Sequence, residues 1–224
     1  MKVLELFAGT KSIGKVAKAR GHQVFSIDIM PEFDCDLTAD ILDVTIADLP
    51  WVPDVVWASP PCTYFSVASI GKHWNKDNTP KTEQAVQGMR IVMHVTRLID
   101  QLKKFNPKLV FFIENPRGKL RKLNLITKEF LKTVCYCQYG DTRMKPTDIW
   151  SNCVSWAARK MCHNFKKDKL TGEIIKHCHH ESAPRGARTG TQGLKGNMLR
   201  SVIPVQLCEE IIRAAERDYE ASKT

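Results

Sequence analysis

The sequence predicts an α/β fold: a mostly parallel sheet covered by helices on both faces, carrying one small loop-rich insertion. Three observations predict it. Over residues 1–150, short apolar runs alternate with amphipathic helical patterns. Each apolar run stops abruptly at Gly, Asp, Pro-Pro or Glu-Asn-Pro. From about residue 151 the periodicity is lost, and it returns only at Val205.

Taken in order, Val3-Leu4-Glu5-Leu6-Phe7 reads as a strand that ends at Ala8-Gly9-Thr10, and a helix follows from Ser12 to Arg20, stopped by Gly21. Val24-Phe25-Ser26-Ile27 is a second strand ending in Asp28. Asp54-Val55-Val56-Trp57-Ala58 is another, broken by Pro60-Pro61. A long helical pattern covers about 82–104, and Leu109–Ile113 is a buried-type strand closed by Glu114-Asn115-Pro116. Val134-Cys135-Tyr136-Cys137 is a further strand candidate, and Val205–Tyr219 is the last helix. In sheets of this kind ligands bind beyond the carboxyl ends of the strands. All the unusual tripeptides therefore converge on one edge. The expected organisation is a catalytic domain over 1–150, a basic Cys/His-rich insertion over 151–195, and a C-terminal helix over 196–224 that returns to the first domain.

Composition narrows the partner. Of 224 residues, 43% are hydrophobic and 26% charged, ordinary for a soluble globular chain. No run approaches the ~20 apolar residues of a membrane span. The acidic Glu5 inside the first apolar run argues against a signal peptide. A cytoplasmic monomer with eight reduced cysteines is expected. The net charge of +10 is unevenly placed: residues 1–50 hold five Lys/Arg against eight Asp/Glu, and residues 151–200 ten against three. That concentration points to a polyanion.

The edge carries chemistry. Phe7-Ala8-Gly9-Thr10-Lys11-Ser12, running into Ile13, brings backbone and a helix N-terminus towards a ligand. Asp28 stands about 20 residues on, where an acid holds ribose hydroxyls, with Ile29 beside it. Together they suggest a nucleoside-containing cofactor. Ser59-Pro60-Pro61 is a stiff, extended arm that holds Cys62 in one place. A thiol so placed suits a nucleophile once a positive field favours its thiolate. Glu114, at the end of an apolar strand, is partly desolvated; its pKa then tends upward, as a proton donor at neutral pH requires.

The constellation resembles the cytosine-C5 DNA methyltransferases. Glu5-Leu6-Phe7-Ala8-Gly9 is similar to their S-adenosylmethionine loop, Asp28 to their ribose acid, and Asp40-Ile41 to the pair that meets the adenine. Pro60-Pro61-Cys62 resembles their catalytic loop, and Glu114-Asn115-Pro116 their base-binding motif. The resemblance implies a Rossmann-like S-adenosylmethionine-dependent methyltransferase fold. It implies duplex DNA as partner, with the target base flipped into the site. It further implies a covalent Cys62–C6 adduct, Glu114 on the exocyclic amine and N3, and Asn115 and Ser66 near the nucleic acid. Residues 63–81 would serve as a lid. Three features differ from the usual pattern. Lys11-Ser12 replace a glycine pair. Arg143-Met144-Lys145-Pro146-Thr147 replaces a Gln-x-Arg-x-Arg segment, leaving Arg143 near the nucleic acid and Lys145 beside the catalytic pair. Target recognition is reduced to about 45 residues. The compact form resembles enzymes of bacterial viruses.

The insertion has chemistry of its own. Cys153, Cys162 and His163, then His177-Cys178-His179-His180, lie in a segment with no core. Tetrahedral zinc needs four such ligands, and adjacent residues seldom reach one ion. The expected set is Cys153, Cys162, Cys178 and His180. Arg185, Arg188 and Gln192, set among glycines, suit contacts with phosphates and base edges. Arg200–Pro204 resembles the final family motif, which packs beside the cofactor. Three alternatives stay open: the same chemistry on RNA, the same on a free cytosine nucleotide, or an inactive zinc-stabilised binding module.

Overall fold

The structure is a computed structural model describing residues 1–162, 170–173, 178–181, 194 and 197–223. Arg185, Arg188, Gln192, His163 and His177 lie outside the described residues.

Seven strands form one sheet. They are β1 (Lys2–Leu6), β2 (Gln23–Asp28), β3 (Leu37–Thr38), β4 (Val55–Ala58), β5 (Val110–Pro116), β6 (Leu131–Cys135) and β7 (Pro146–Ser151). Their spatial order is β3-β2-β1-β4-β5-β7-β6. The first five are parallel, and β7 runs antiparallel between β5 and β6. The order reverses between β1 and β4, so the ligand crevice falls where those two strands end. In register, Leu6 pairs with Ala58, and Ala58 with Ile113. The loops after β1, β4 and β5 therefore leave the sheet side by side.

Alternation of side chains across the strands divides the core. Val3, Val55, Trp57, Phe112 and Ile149 pack against helices α1 (Ser12–Ala19) and α5 (Val205–Ala221). Leu4, Leu6, Val56, Ala58, Phe111 and Ile113 pack against α3 (Glu83–Phe105), the helix that follows the short α2 (Ile70–His73). Thr82 caps α3 by accepting from the Ala85 N–H at 3.3 Å. Ala85, Val92, Val95, Ile99 and Leu102 form its buried stripe. On α5 the buried face is Leu207, Cys208, Ile211, Ile212 and Ala215. Among the described residues no helix is long and apolar enough to cross a membrane.

One expectation needs correction. Val134–Cys137 is not all strand: β6 ends at Cys135, and Tyr136–Tyr139 form a 3-10 turn. Glu114-Asn115-Pro116 are the last three residues of β5, paired with Ile149, Asp148 and Thr147 of β7. That pairing is why Glu114 is only 6% exposed.

Candidate active site

The loop after β1 is tightly wound. Phe7, Gly9 and Lys11 all take positive φ, at 56°, 46° and 55°. Two of them are not glycine, a conformation that side chains adopt only when their surroundings enforce it. Those surroundings are hydrogen bonds: Ala8 N–H to Ile27 O at 3.0 Å, Gly9 N–H to Asp28 Oδ2 at 2.9 Å, and Lys11 N–H to Ala8 O at 2.7 Å. Beneath the loop, Glu5 accepts from the Ile13 and Gly14 N–H groups at 3.1 and 2.9 Å and so caps α1. Burial outweighs those bonds and pushes its carboxyl up to about 7. Sequence reasoning assigned Glu5 no capping role; an acid inside an apolar strand, ahead of a helix with no acid in its first turn, was the signal for this cap.

A cavity of about 220 Å³ opens here, lined by Phe7, Ala8, Gly9, Thr10, Ser12 and Asp28 from the expected set. Phe33, Ser59, Met198, Ser201 and Ile203 complete the wall and were not expected there individually. Lys11, Ile13, Ile29, Asp40, Ile41 and Pro60 do not line it. Ile13 and Ile41 are buried in the two cores, Asp40 accepts from its own Leu42 N–H at 3.0 Å, and Ile29 is exposed. Phe33, in the turn after β2, faces the cavity together with Phe7 and Trp57, and Glu5 reaches it from below. A larger cavity of about 390 Å³, lined by Asp54, Lys108 and Tyr219 among others, opens at the opposite, amino edge of the sheet.

Cys62 sits just past this crevice. The Asn115 side-chain amide donates to Pro60 O at 2.9 Å and locks the proline arm to β5. Asn115 is fully buried; its amide holds the loop while its Oδ1 has no partner among the described residues. Beyond the thiol, the Cys62 carbonyl accepts the Phe65 and Ser66 N–H groups, both at 3.0 Å. Phe65 is buried and stacks on Trp74 at 5.9 Å. Its carbonyl takes the Lys119 N–H at 2.7 Å, an approach that needs Gly118: a Cβ there would stand 2.3 Å from Phe65 O. The expected lid, 63–81, is thus anchored through its aromatic residues. Ser66 pairs with Ser69 at 3.0 Å inside it.

Glu114 shares this pocket. Tyr136 donates its hydroxyl to Glu114 Oε1 at 3.1 Å, and Lys145 Nζ lies 4.0 Å from the same oxygen. Ser59, which takes the Trp57 indole N–H at 2.8 Å, lies on the same side of the pocket. Burial pushes the Glu114 carboxyl up against the pull of Lys145 and Tyr136. Burial, and then the charge of Glu114, push the Cys62 thiol up, while Lys145 and Arg200 oppose them. Each negative charge disfavours the other, so the pair tends to hold one.

Arg143 corrects an expectation. It is 5% exposed and gives its guanidinium to Asp141 and to the carbonyls of Leu199 and Val202 at 3.1 and 3.0 Å. It ties the β6–β7 connection to α4 (Asn197–Ser201), whose end lines the cavity, and does not face a nucleic acid. Sequence reasoning overlooked Asp141, two residues earlier. Arg143→Ala leaves the half-buried Asp141 carboxylate without its cation and should cost about 2 kcal/mol of stability. Denaturant unfolding checks this, and a loss under about 1 kcal/mol would contradict it.

The metal set is also corrected. Cys137, Cys162, Cys178 and His180 bring their ligand atoms within 4.8 Å of one another and could hold an ion. Cys153 is outside this group; it is buried at the end of β7 next to Asp218, which raises its thiol to about 12 after the larger effect of burial. Cys137, expected as a strand residue, takes its place because the turn after Cys135 swings it out of the strand.

A parallel sheet with one antiparallel strand, a crevice at its switch point and a thiol–carboxyl pair beside it is an arrangement of the methyltransferase-fold type. Comparison with known proteins agrees. The chain is 29% identical over 216 residues, 91% of its length and 97% of the relative's, to the Frog virus 3 (isolate Goorha) protein named "Probable DNA (cytosine-5)-methyltransferase". The solved methyltransferase EhMeth of Entamoeba histolytica has the same fold, with a TM-score of 0.55 at 12% identity over 98% of each chain. Spodoptera frugiperda DNMT2 aligns with 71% of this chain and 52% of its own at 17% identity, TM-score 0.43. No protein-family model matches the chain. The chain shares the methyltransferase fold, and its likeness to the cytosine-5 relative extends over nearly its whole length.

Proposed function

We propose that the chain methylates C5 of cytosine in DNA, using S-adenosylmethionine and a covalent bond from Cys62 to C6 of the base. The observation that carries this is the clamped Cys62 arm set beside a buried, cation-flanked Glu114, at the edge of a crevice holding Gly9 and Asp28. The cavity suits the cofactor. Gly9 leaves its inner side open, with only Phe7 O within 4 Å of a Cβ placed there. Asp28 supplies a carboxylate for ribose hydroxyls, and Phe33 a ring for the base.

In this reading the Cys62 thiolate adds to C6 of a flipped cytosine. Glu114 receives the exocyclic amine and gives its proton to N3, which draws charge off the ring as the thiolate attacks. Tyr136 and Lys145 hold the Glu114 carboxyl in place. The bound cofactor supplies an electrophilic methyl group, which C5 takes up. Loss of the C5 proton and departure of the Cys62 sulfur restore the ring.

The match to a DNA-modifying relative and the basic excess at 151–200 favour duplex DNA and a monomeric enzyme. The same reading includes a structural zinc ion in the Cys/His cluster, the ion that three thiols and an imidazole select. Incubation with labelled S-adenosylmethionine and duplex DNA, RNA or deoxycytidylate tests the whole. Label should enter duplex DNA as 5-methylcytosine. Label in none, with cofactor bound, overturns the activity; label only in RNA or nucleotide overturns the substrate. Asp28→Ala should weaken cofactor binding roughly 10- to 100-fold, an effect of about 1.4–2.8 kcal/mol. Calorimetric titration reads it, and unchanged affinity would remove Asp28 from the site.

A further inference from the structure

The Cys/His cluster is not a remote appendage, because one of its ligands adjoins the catalytic wall. Cys137 is the residue after Tyr136, in the turn that begins there, and is 1% exposed. Tyr136 is fully buried and gives its hydroxyl to Glu114. The other ligands come from the insertion. Cys162 Sγ lies 3.6 Å from His180 Nδ1, and the Gln138 amide reaches both Cys137 Sγ at 3.7 Å and Cys178 Sγ at 3.5 Å. Cys178 and His180, two residues apart, bring their ligand atoms into the same group. Their segment is pinned to the same β6–β7 connection: Glu181 N–H donates to Thr142 O at 2.9 Å, and His179 Nε2 lies 3.1 Å from Asp141 O. Ligands of tetrahedral zinc stand ~3.8 Å apart when metal–sulfur bonds are ~2.3 Å long. The observed separations, up to 4.8 Å, are close to that edge.

We propose that zinc held by Cys137, Cys162, Cys178 and His180 fixes the turn after Tyr136, and that Tyr136 is a positioning residue which the ion keeps in contact with Glu114. The zinc site stands by itself; the positioning role rests on Glu114 being the proton donor. Three thiols release their protons to solvent as the ion binds. The bound ion joins the insertion to the segment 136–145, which also carries Arg143 and Lys145. Removing it would free the insertion and loosen the wall that sets the orientation and acidity of Glu114.

The chain, purified without a histidine tag, should contain about one equivalent of zinc. Cobalt in its place should show the visible bands of a tetrahedral three-thiolate centre. Cys137→Ser and Cys178→Ser should lose the ion, and Cys153→Ala should keep it. Less than about a tenth of an equivalent in the folded chain overturns the site. So does loss of the ion from Cys153→Ala with retention in Cys137→Ser.

For the positioning role, Tyr136→Phe should keep its zinc and lose roughly ten-fold in kcat, with KM for the cofactor unchanged. The pH limb set by Glu114 should move upward, because a donor to the ionised carboxylate is gone. Stripping zinc should move the same limb the same way; Cys137→His, which retains a ligand but displaces the turn, serves if the stripped chain unfolds. An unmoved limb in the stripped chain or, where it unfolds, in Cys137→His overturns the role. If no substrate is methylated, the zinc and cobalt measurements still decide the site, and the infrared carboxyl band of Glu114 reports its protonation without turnover.

Discussion

Cys62→Ala is expected to lower methyl transfer by at least about 10⁴-fold, an effect of roughly 5 kcal/mol on the barrier, while cofactor affinity stays within about two-fold. The size follows from the kind of interaction removed. The thiolate forms a bond that exists only beyond the ground state, so its loss falls on the chemical step and not on binding. Nothing else around Glu114 can replace it: Tyr136 and Ser59 offer hydroxyls far less acidic than a thiol, and Lys145 is committed to the Arg200 carbonyl at 3.0 Å. The fold should tolerate the change, because Cys62 is half-buried and its loop is held through backbone and Asn115, not through the sulfur. A duplex with 5-fluorocytosine at the target makes the outcome unambiguous. Fluorine cannot leave as a proton does, so wild type should be trapped on the DNA through Cys62 while the variant is not. Substantial turnover, or a trapped adduct, in Cys62→Ala would overturn the covalent route.

Much of the site was legible because its residues interrupt simple patterns. Asp28, Pro60-Pro61-Cys62 and Glu114 each end an apolar strand, and parallel strands must end on a common edge. The structure bears that out in the register of Leu6, Ala58 and Ile113. What stayed hidden depends on pairings that no local pattern encodes. The antiparallel insertion of β7 between β5 and β6 is one. It buries Glu114 and sets Tyr136 against it, yet Pro146–Ser151 carries no strong strand signal of its own. Cys137 alternates with Cys135 as a strand residue would, and only the turn after β6 turns it towards Cys162. Arg143 matched a motif by position, but Asp141 and the carbonyls ending α4 claim its donors.

Glu114→Gln should lower methyl transfer by about 10²–10⁴-fold and, at the same pH, make Cys62 react faster with iodoacetamide. These opposite effects have one cause. Glutamine keeps the shape and an acceptor for Tyr136 but has no proton to give N3. It also removes the negative charge that helps push the Cys62 thiol up, leaving Lys145 and Arg200 to favour the thiolate. The productive state of the native pair is an ionised thiol beside a protonated acid, and burial of Glu114 with its raised pKa favours the protonated half. Stability should move as well. A carboxyl whose folded pKa is raised binds its proton more tightly folded than unfolded. The native chain therefore gains stability from this group as pH falls and loses it as pH rises from the ordinary carboxylate range, about 4.3, through the raised folded value. Above that window Glu114→Gln should be the more stable protein, although it is the less active. Denaturant midpoints across pH and alkylation rates of Cys62 read these effects independently of catalysis. Equal alkylation rates in the two proteins would show that Glu114 does not act on the thiol, and full activity in the variant would assign the proton to another group.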